Sequence, residues 1–244
     1  MKILRILFWG YILYLAYFII NTNEARGATY DVKTFVPKKA YIYSPTLKEV
    51  IDRIWSDHPA PELLGALIEQ ESCITLVHKR CWDPTSKLDT KREKGVGLGQ
   101  TTIAYKEDGT VRFDALKDLR NAHMAELKEL SWQNIETRPD LQMRFILLMM
   151  KDNYKRLYTI PELFDRYAMT DAAYNGGYGG VIKDRRLCSL SKDCDPNKWF
   201  GHVERTCSKS KKPLYGNRSA CDINREHVDS VMRKRNVKYK PLLR

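Results

Sequence analysis

Met143-Arg-Phe-Ile-Leu-Leu-Met-Met150 is apolar almost all the way round a helix, and it follows Pro139, which suits a first helical position. A helix with no wet side must be enclosed by other elements, so this stretch predicts a central buried helix. Leu47, Val50, Ile51, Ile54 and Trp55 recur at helical steps after Ser44-Pro45, which reads as an N-cap and a first-turn proline. That helix stops near His58-Pro59. Pro61 opens a second helix that reaches Ser72. Phe113, Leu116, Leu119, His123, Leu127 and Leu130 predict one long amphipathic helix. Pro161 opens another that runs to Tyr174 and stops at Asn175-Gly176-Gly177, and a short one is expected around Ile223 to Arg235. Strand signals are few, and Asp108-Gly109 reads as a turn. The class is mainly α with at most a small β-hairpin. With 43% hydrophobic residues in 244, one domain can bury a proper core.

The N-terminus is built for export. Lys2 and Arg5 precede the uncharged run Ile6 to Ile20, and Ala25-Arg26-Gly27 places small residues at −3 and −1 of a cut after Gly27. The run sits at the upper end of a signal-peptide core and just under a comfortable membrane span. Residues 1–27 therefore read as a signal peptide or signal anchor, attached to the inner membrane if uncleaved. Residues 28–43 read as an extended linker and 44–244 as the domain, loop-rich from about 180.

Six cysteines agree with export: Cys73, Cys81, Cys188, Cys194, Cys207 and Cys221. None forms a C-x-x-C, which argues against a structural zinc site. Fifteen pairings are open, and the expectation is the local one: Cys73 with Cys81, Cys188 with Cys194, Cys207 with Cys221. The net charge of +12 suggests an anionic partner such as a cell-wall polymer or lipid. The basic residues are scattered apart from Lys209 to Lys212 and Arg233 to Lys240, which read as solvated surface. No zinc-finger spacing or RNA-binding aromatic signature accompanies them, so nucleic acid is not expected.

Glu71 is the conspicuous acid. Counted from Pro61, it falls on the face of Leu64, Leu67 and Ile68, whereas Glu62 and Glu69 fall on another face expected to reach water. A carboxyl on an apolar face must be paired, or be neutral with a raised pKa, which is what a general acid needs. A helix-end Glu bonded to backbone or to an Arg is the structural alternative.

Three segments combine with it. Glu71-Ser72 closes a helix, Gly95-Val-Gly-Leu-Gly-Gln100 lies in a loop without the lysine of a P-loop, and Ala173-Tyr-Asn-Gly-Gly177 closes a later helix. In this order they resemble the motifs of the soluble lytic transglycosylases: Glu-Ser at a helix end, a Gly-Leu-Met-Gln loop, then Ala-Tyr-Asn-Ala-Gly. The resemblance spans about Leu47 to Gly177, and the tail is similar to that of phage-encoded members. Gly99 stands where the family has Met, Gly176 where it has the second Ala, and the segment from Ser72 to Gly95 is longer. The Gly99 change is expected to open the floor of a sugar groove.

The resemblance implies a goose-lysozyme-like fold and cleavage of the β-1,4 bond between N-acetylmuramic acid and N-acetylglucosamine in the glycan strands of peptidoglycan, and the chain is expected to act as a monomer. Glu71 would protonate the leaving oxygen and then take the proton of the attacking muramic 6-hydroxyl, giving a 1,6-anhydro sugar without a cofactor. Ser72 would bond the lactyl or acetyl region, and Gln100 and Asn175 the sugar amides or hydroxyls. Tyr174 would set the pKa of Glu71, and Gly95 and Gly97 would let backbone approach the glycan. Ordinary glycosidases add a second carboxylate. Asp83, Asp89 or Glu93 in that role would make the protein a goose-type muramidase. A wall-binding or virion protein with an inert domain is the reading from another class. His78, His123, His202 and His227 share no spacing, and no metal site is expected.

Overall fold

The computed structural model describes residues 30–244, so the expected export segment lies outside the described residues. Val32–Arg244 form one compact unit. Helix α1 spans Lys38–Ile54 and α2 spans Glu62–Ser72. Strands β1 (Lys87–Asp89), β2 (Glu93–Val96), β3 (Thr101–Tyr105) and β4 (Val111–Asp114) follow. Helices α3 (Ala115–Ala122), α4 (Met124–Leu127), α5 (Pro139–Arg156), α6 (Leu163–Gly176) and α7 (Tyr178–Ser189) come next. A two-stranded ribbon, β5 (Pro213–Tyr215) and β6 (Arg218–Ser219), leads into α8 (Ala220–Asp229), a π-helical turn (Ser230–Arg235) and the short α9 (Lys240–Leu243).

The protein is mainly α. Helix α5 is the centre, and the reason it is apolar all round is that it serves two cores. Met143, Ile146, Leu147 and Met150 enter the main core, shared with Leu64, Leu67, Ile68, Tyr167 and Ala172. Leu141, Phe145 and Leu148 face a second core under Leu116, Leu127, Leu130 and Ile135.

Three local expectations are corrected. Helix α1 begins at Lys38, not at Ser44, so residues 38–43 belong to the domain: Ala40 is in the main core and Pro45 lies inside the helix. Pro45 removes the N–H that would reach the carbonyl of Tyr41, a residue that stands on the exposed side of the helix. The long helix over 113–130 is broken. Phe113 is in β4, and His123 turns out of helical geometry between α3 and α4, with its Nε2 2.7 Å from Asp152 Oδ2. Instead of one hairpin, β1-β2-β3-β4 form a four-stranded antiparallel meander, and Gly97–Gln100 make the turn between β2 and β3.

The three expected disulfides are present: Cys73–Cys81, Cys188–Cys194 and Cys207–Cys221. They are compatible with an oxidising, exported setting. Among the described residues, no helix is long and apolar enough to cross a membrane.

Candidate active site

Glu71 sits at the last turn of α2, held by a disulfide loop immediately after it. Ser72 does not face outward with it. Its hydroxyl is buried, donates to the carbonyl of Ile68 at 2.7 Å and accepts from the N–H of Trp82 at 2.9 Å. Both bonds fasten the helix end to the Cys73–Cys81 loop, so Ser72 is framework here and not a groove residue.

Behind Ser72, the indole of Trp82 donates to Tyr239 Oη at 2.9 Å, and Tyr239 donates to Glu69. Glu69 is fully buried, against the expectation that it reaches water. It is compensated by Arg235 and by Lys238, whose Nζ lies 2.8 Å from Oε2. Glu62 is likewise covered and paired with Arg244 at 2.8 Å. The basic tail is therefore partly folded in, because the acids of α2 need counter-charges in a dry place.

Glu71 has one foot in that interior. Its side chain is 14% exposed, and Oε1 lies 2.8 Å from His227 Nε2. His227 comes from α8, which a Ser219/Asp222 capping box starts. Its Nδ1 lies 2.8 Å from Oδ2 of Asp171 on α6, and the side chains of His227 and Asp171 are only 4% and 1% exposed. Burial by itself would lower the imidazole pKa, but Asp171 and Glu71 outweigh it and raise it to about 10. The two carboxylates on either side of the ring thus favour its protonated form.

The glycine segment is a packed turn. Gly97 has φ +86°, and a β-carbon there would stand 2.3 Å from Gln142 Oε1. That amide, buried on α5, accepts from the N–H of Leu98 at 2.8 Å and donates to the carbonyls of Pro84 and Ile135. Gln100 donates its own amide back to the carbonyls of Gly97 (2.9 Å) and Ser86 (3.2 Å), and its Oε1 fills the side of Gly95. Gly95, Gly97 and Gln100 thus shape the turn, with the faces of both glycines occupied by glutamine side chains instead of being open to a ligand.

Gly99 does not open a groove floor. A β-carbon there would meet Tyr174 Oη at 2.4 Å and Ile146 at 2.5 Å, so the place of the family's Met is already filled. Tyr174 donates to the carbonyl of Gly99 at 2.8 Å, and not to Glu71. Its phenol pKa is pushed well above the ordinary value, first by burial and then by Glu71 and Asp171, so it stays a neutral donor. Asn175 is exposed, and its Oδ1 accepts from Asn224 at 2.9 Å. Gly176 is small for a similar reason: Lys209, which donates to its carbonyl at 2.8 Å, and Asn224 take the space of a β-carbon.

The three motifs are therefore joined. Tyr174 ties the third to the second through Gly99, and His227 ties Glu71 to Asp171, one turn before Tyr174. Asp83 is held by Lys39 and Thr85, Asp89 lies 3.7 Å from Lys94 on the exposed β1, and Glu93 accepts from Tyr215 at 2.6 Å. His227, Asp171, Gln142 and Asn224 were not singled out from sequence. Asp171 carries a usable signal, since it interrupts the small and apolar run Ala168 to Ala173 just as Glu71 follows Leu67 and Ile68. His227 carries none, because its partners are 56 and 156 residues away. No protein-family model matches the chain, and no curated protein is significantly similar to it.

Proposed function

We propose that the protein is an exported peptidoglycan lytic transglycosylase with a lysozyme-like domain, acting as a cell-wall-degrading endolysin. The observation that carries this reading is that Tyr174 of the third motif bonds the glycine turn of the second and lies close enough to Glu71 to feel its charge. A partly exposed carboxyl stands at a helix end, backed by a buried imidazole and flanked by the Tyr174-bound glycine turn.

Glu71 protonates the glycosidic oxygen as the bond to the muramic anomeric carbon breaks. The same carboxylate then accepts the proton of the muramic 6-hydroxyl as that oxygen closes on the anomeric carbon. Asn175, with its Oδ1 held by Asn224, donates its amide to a sugar oxygen. An anhydro product is favoured over hydrolysis because Asp83, Asp89 and Glu93 are engaged elsewhere and Asp171 is buried behind His227, so none is placed as the water-activating base of an inverting glycosidase.

The test is release of soluble muropeptides from purified murein. The full chain is expected to release them and Glu71→Gln to release none. Equal release by both would reject Glu71 as the acid, and no release by either would reject the function.

A further inference from the structure

The contact between Glu71 and His227 has a chemical consequence. At 2.8 Å, Oε1 and Nε2 need a proton between them, or two lone pairs would face each other. Nδ1 is already turned to Asp171 at 2.8 Å, which fixes a proton on that nitrogen. The contact proton is therefore additional. It belongs to the pair, as imidazolium with carboxylate or as imidazole with carboxylic acid, and the overall charge is the same in both.

We propose that Glu71 and His227 share one proton and act as the proton store of the site, with Asp171 holding the imidazole in register. His227 is a positioning residue in this scheme: it touches Glu71 and not the glycan. The proposal rests on the transglycosylase reading. The stored proton passes through Glu71 to the glycosidic oxygen, which leaves with the electron pair of the broken bond. Glu71 is then a carboxylate facing a bare imidazole nitrogen, which makes it avid for a proton. The 6-hydroxyl oxygen bonds to the anomeric carbon and its proton returns to the pair. No proton is gained or lost over the cycle, and one accessible carboxyl serves as both acid and base.

Asp171 and Tyr174 face the pair from α6 and Glu71 from α2. The ion pairs made by α8 and the π-helical turn go elsewhere: Glu226 to Arg218, Arg225 to Asp184, Asp229 to Arg233 and Lys234, and Arg235 to Glu69. The second oxygen of Asp171 is buried without a hydrogen-bond partner among the described residues, so the only side-chain hydrogen bond given for this carboxylate there is the one to His227.

The substitution is His227→Gln in the full chain, which can still donate to Glu71 but cannot carry the proton. Murein release is measured across pH. The wild-type alkaline limb is expected above neutrality. In His227→Gln it should move to lower pH, because the imidazole that holds the shared proton is gone. At neutral pH kcat should drop by about 100-fold or more with KM nearly unchanged. An unchanged limb and kcat in His227→Gln overturn the proposal. As a readout independent of turnover, imidazole nitrogen NMR of the five histidines, assigned with the variant, should show the His227–Glu71 contact still protonated at pH 7.5 in the wild type. Glu71→Gln, which keeps the fold without the carboxylate, should lower the His227 pKa. Loss of the shared proton below pH 7.5 in the wild type, read from the pH dependence of the His227 nitrogen shifts, also overturns the proposal. A wild-type chain inert towards murein at every pH overturns the function, and NMR alone then decides whether the proton is shared.

Discussion

Replacing Glu69 by alanine is expected to destabilise the protein more than any other single change to an acid of α2. The carboxylate is fully buried and bonds Arg235, Lys238 and Tyr239. Its removal takes the Glu69 carboxylate from the Lys238 ammonium, 2% exposed, and from Arg235, and takes from the Tyr239 hydroxyl its acceptor. Breaking one side of a buried ion pair costs about 3–5 kcal/mol, because the surviving charge stays desolvated. In a domain of this size that corresponds to a fall in Tm of roughly 6–20 °C. Glu69→Gln keeps the shape and an acceptor for Tyr239 and should cost less, about 2–3 kcal/mol. Urea unfolding of the oxidised full chain near pH 7, followed by circular dichroism, gives both values. Glu69→Ala within about 1 kcal/mol of wild type would refute the buried network, and with it the idea that the basic tail is anchored by α2.

His227 should make stability pH-dependent. Its folded pKa is raised from 6.5 to about 10, so its contribution is complete below about pH 6.5 and is lost as pH climbs towards 10. At 1.36 kcal/mol per pH unit the ceiling is about 5 kcal/mol. The unfolding free-energy gap between wild type and His227→Gln should shrink from pH 6 to pH 9.5, and a widening gap would contradict the charge assignment. Gly99→Ala should cost about 1–3 kcal/mol by overpacking against Tyr174 and Ile146, seen as a lower Tm. Removing Cys73 and Cys81 together, as serines, opens a short loop with a sequence separation of 8 and should cost about 2.5 kcal/mol by loop entropy, read by the same urea titration.

Local signals were readable where they are strong. Proline and glycine punctuation located α2, α5 and α6, and the short spacings of the cysteines matched the disulfides that form. The faces of α2 were not readable. Periodicity sorts residues only when a helix has a wet side, and Glu62 through Glu69 are all buried, so counting placed Glu69 in water when its partners come from the C-terminal tail. The meander was hidden because β1 and β4 are short and largely exposed, and show little apolar alternation. The helix break at His123 depends on a contact with Asp152 that the apolar spacing of 113–130 does not report. At the site, Glu71 could be singled out because its acid stands beside apolar neighbours. Ser72, Gly95, Gly97 and Gln100 were selected as motif members, yet their hydrogen bonds and packing serve the scaffold. Glu71, His227 and Asp171 come from three distant helices, and no local pattern encodes that meeting.

The most direct test of the account is the chemistry of the product. Murein digested by the full chain in ¹⁸O-labelled water, with the muropeptides examined by mass spectrometry, should yield 1,6-anhydromuramic ends free of ¹⁸O, and Glu71→Gln should yield none. Reducing ends carrying ¹⁸O would show that water, and not the substrate's own hydroxyl, attacks, and would contradict the single-carboxyl mechanism.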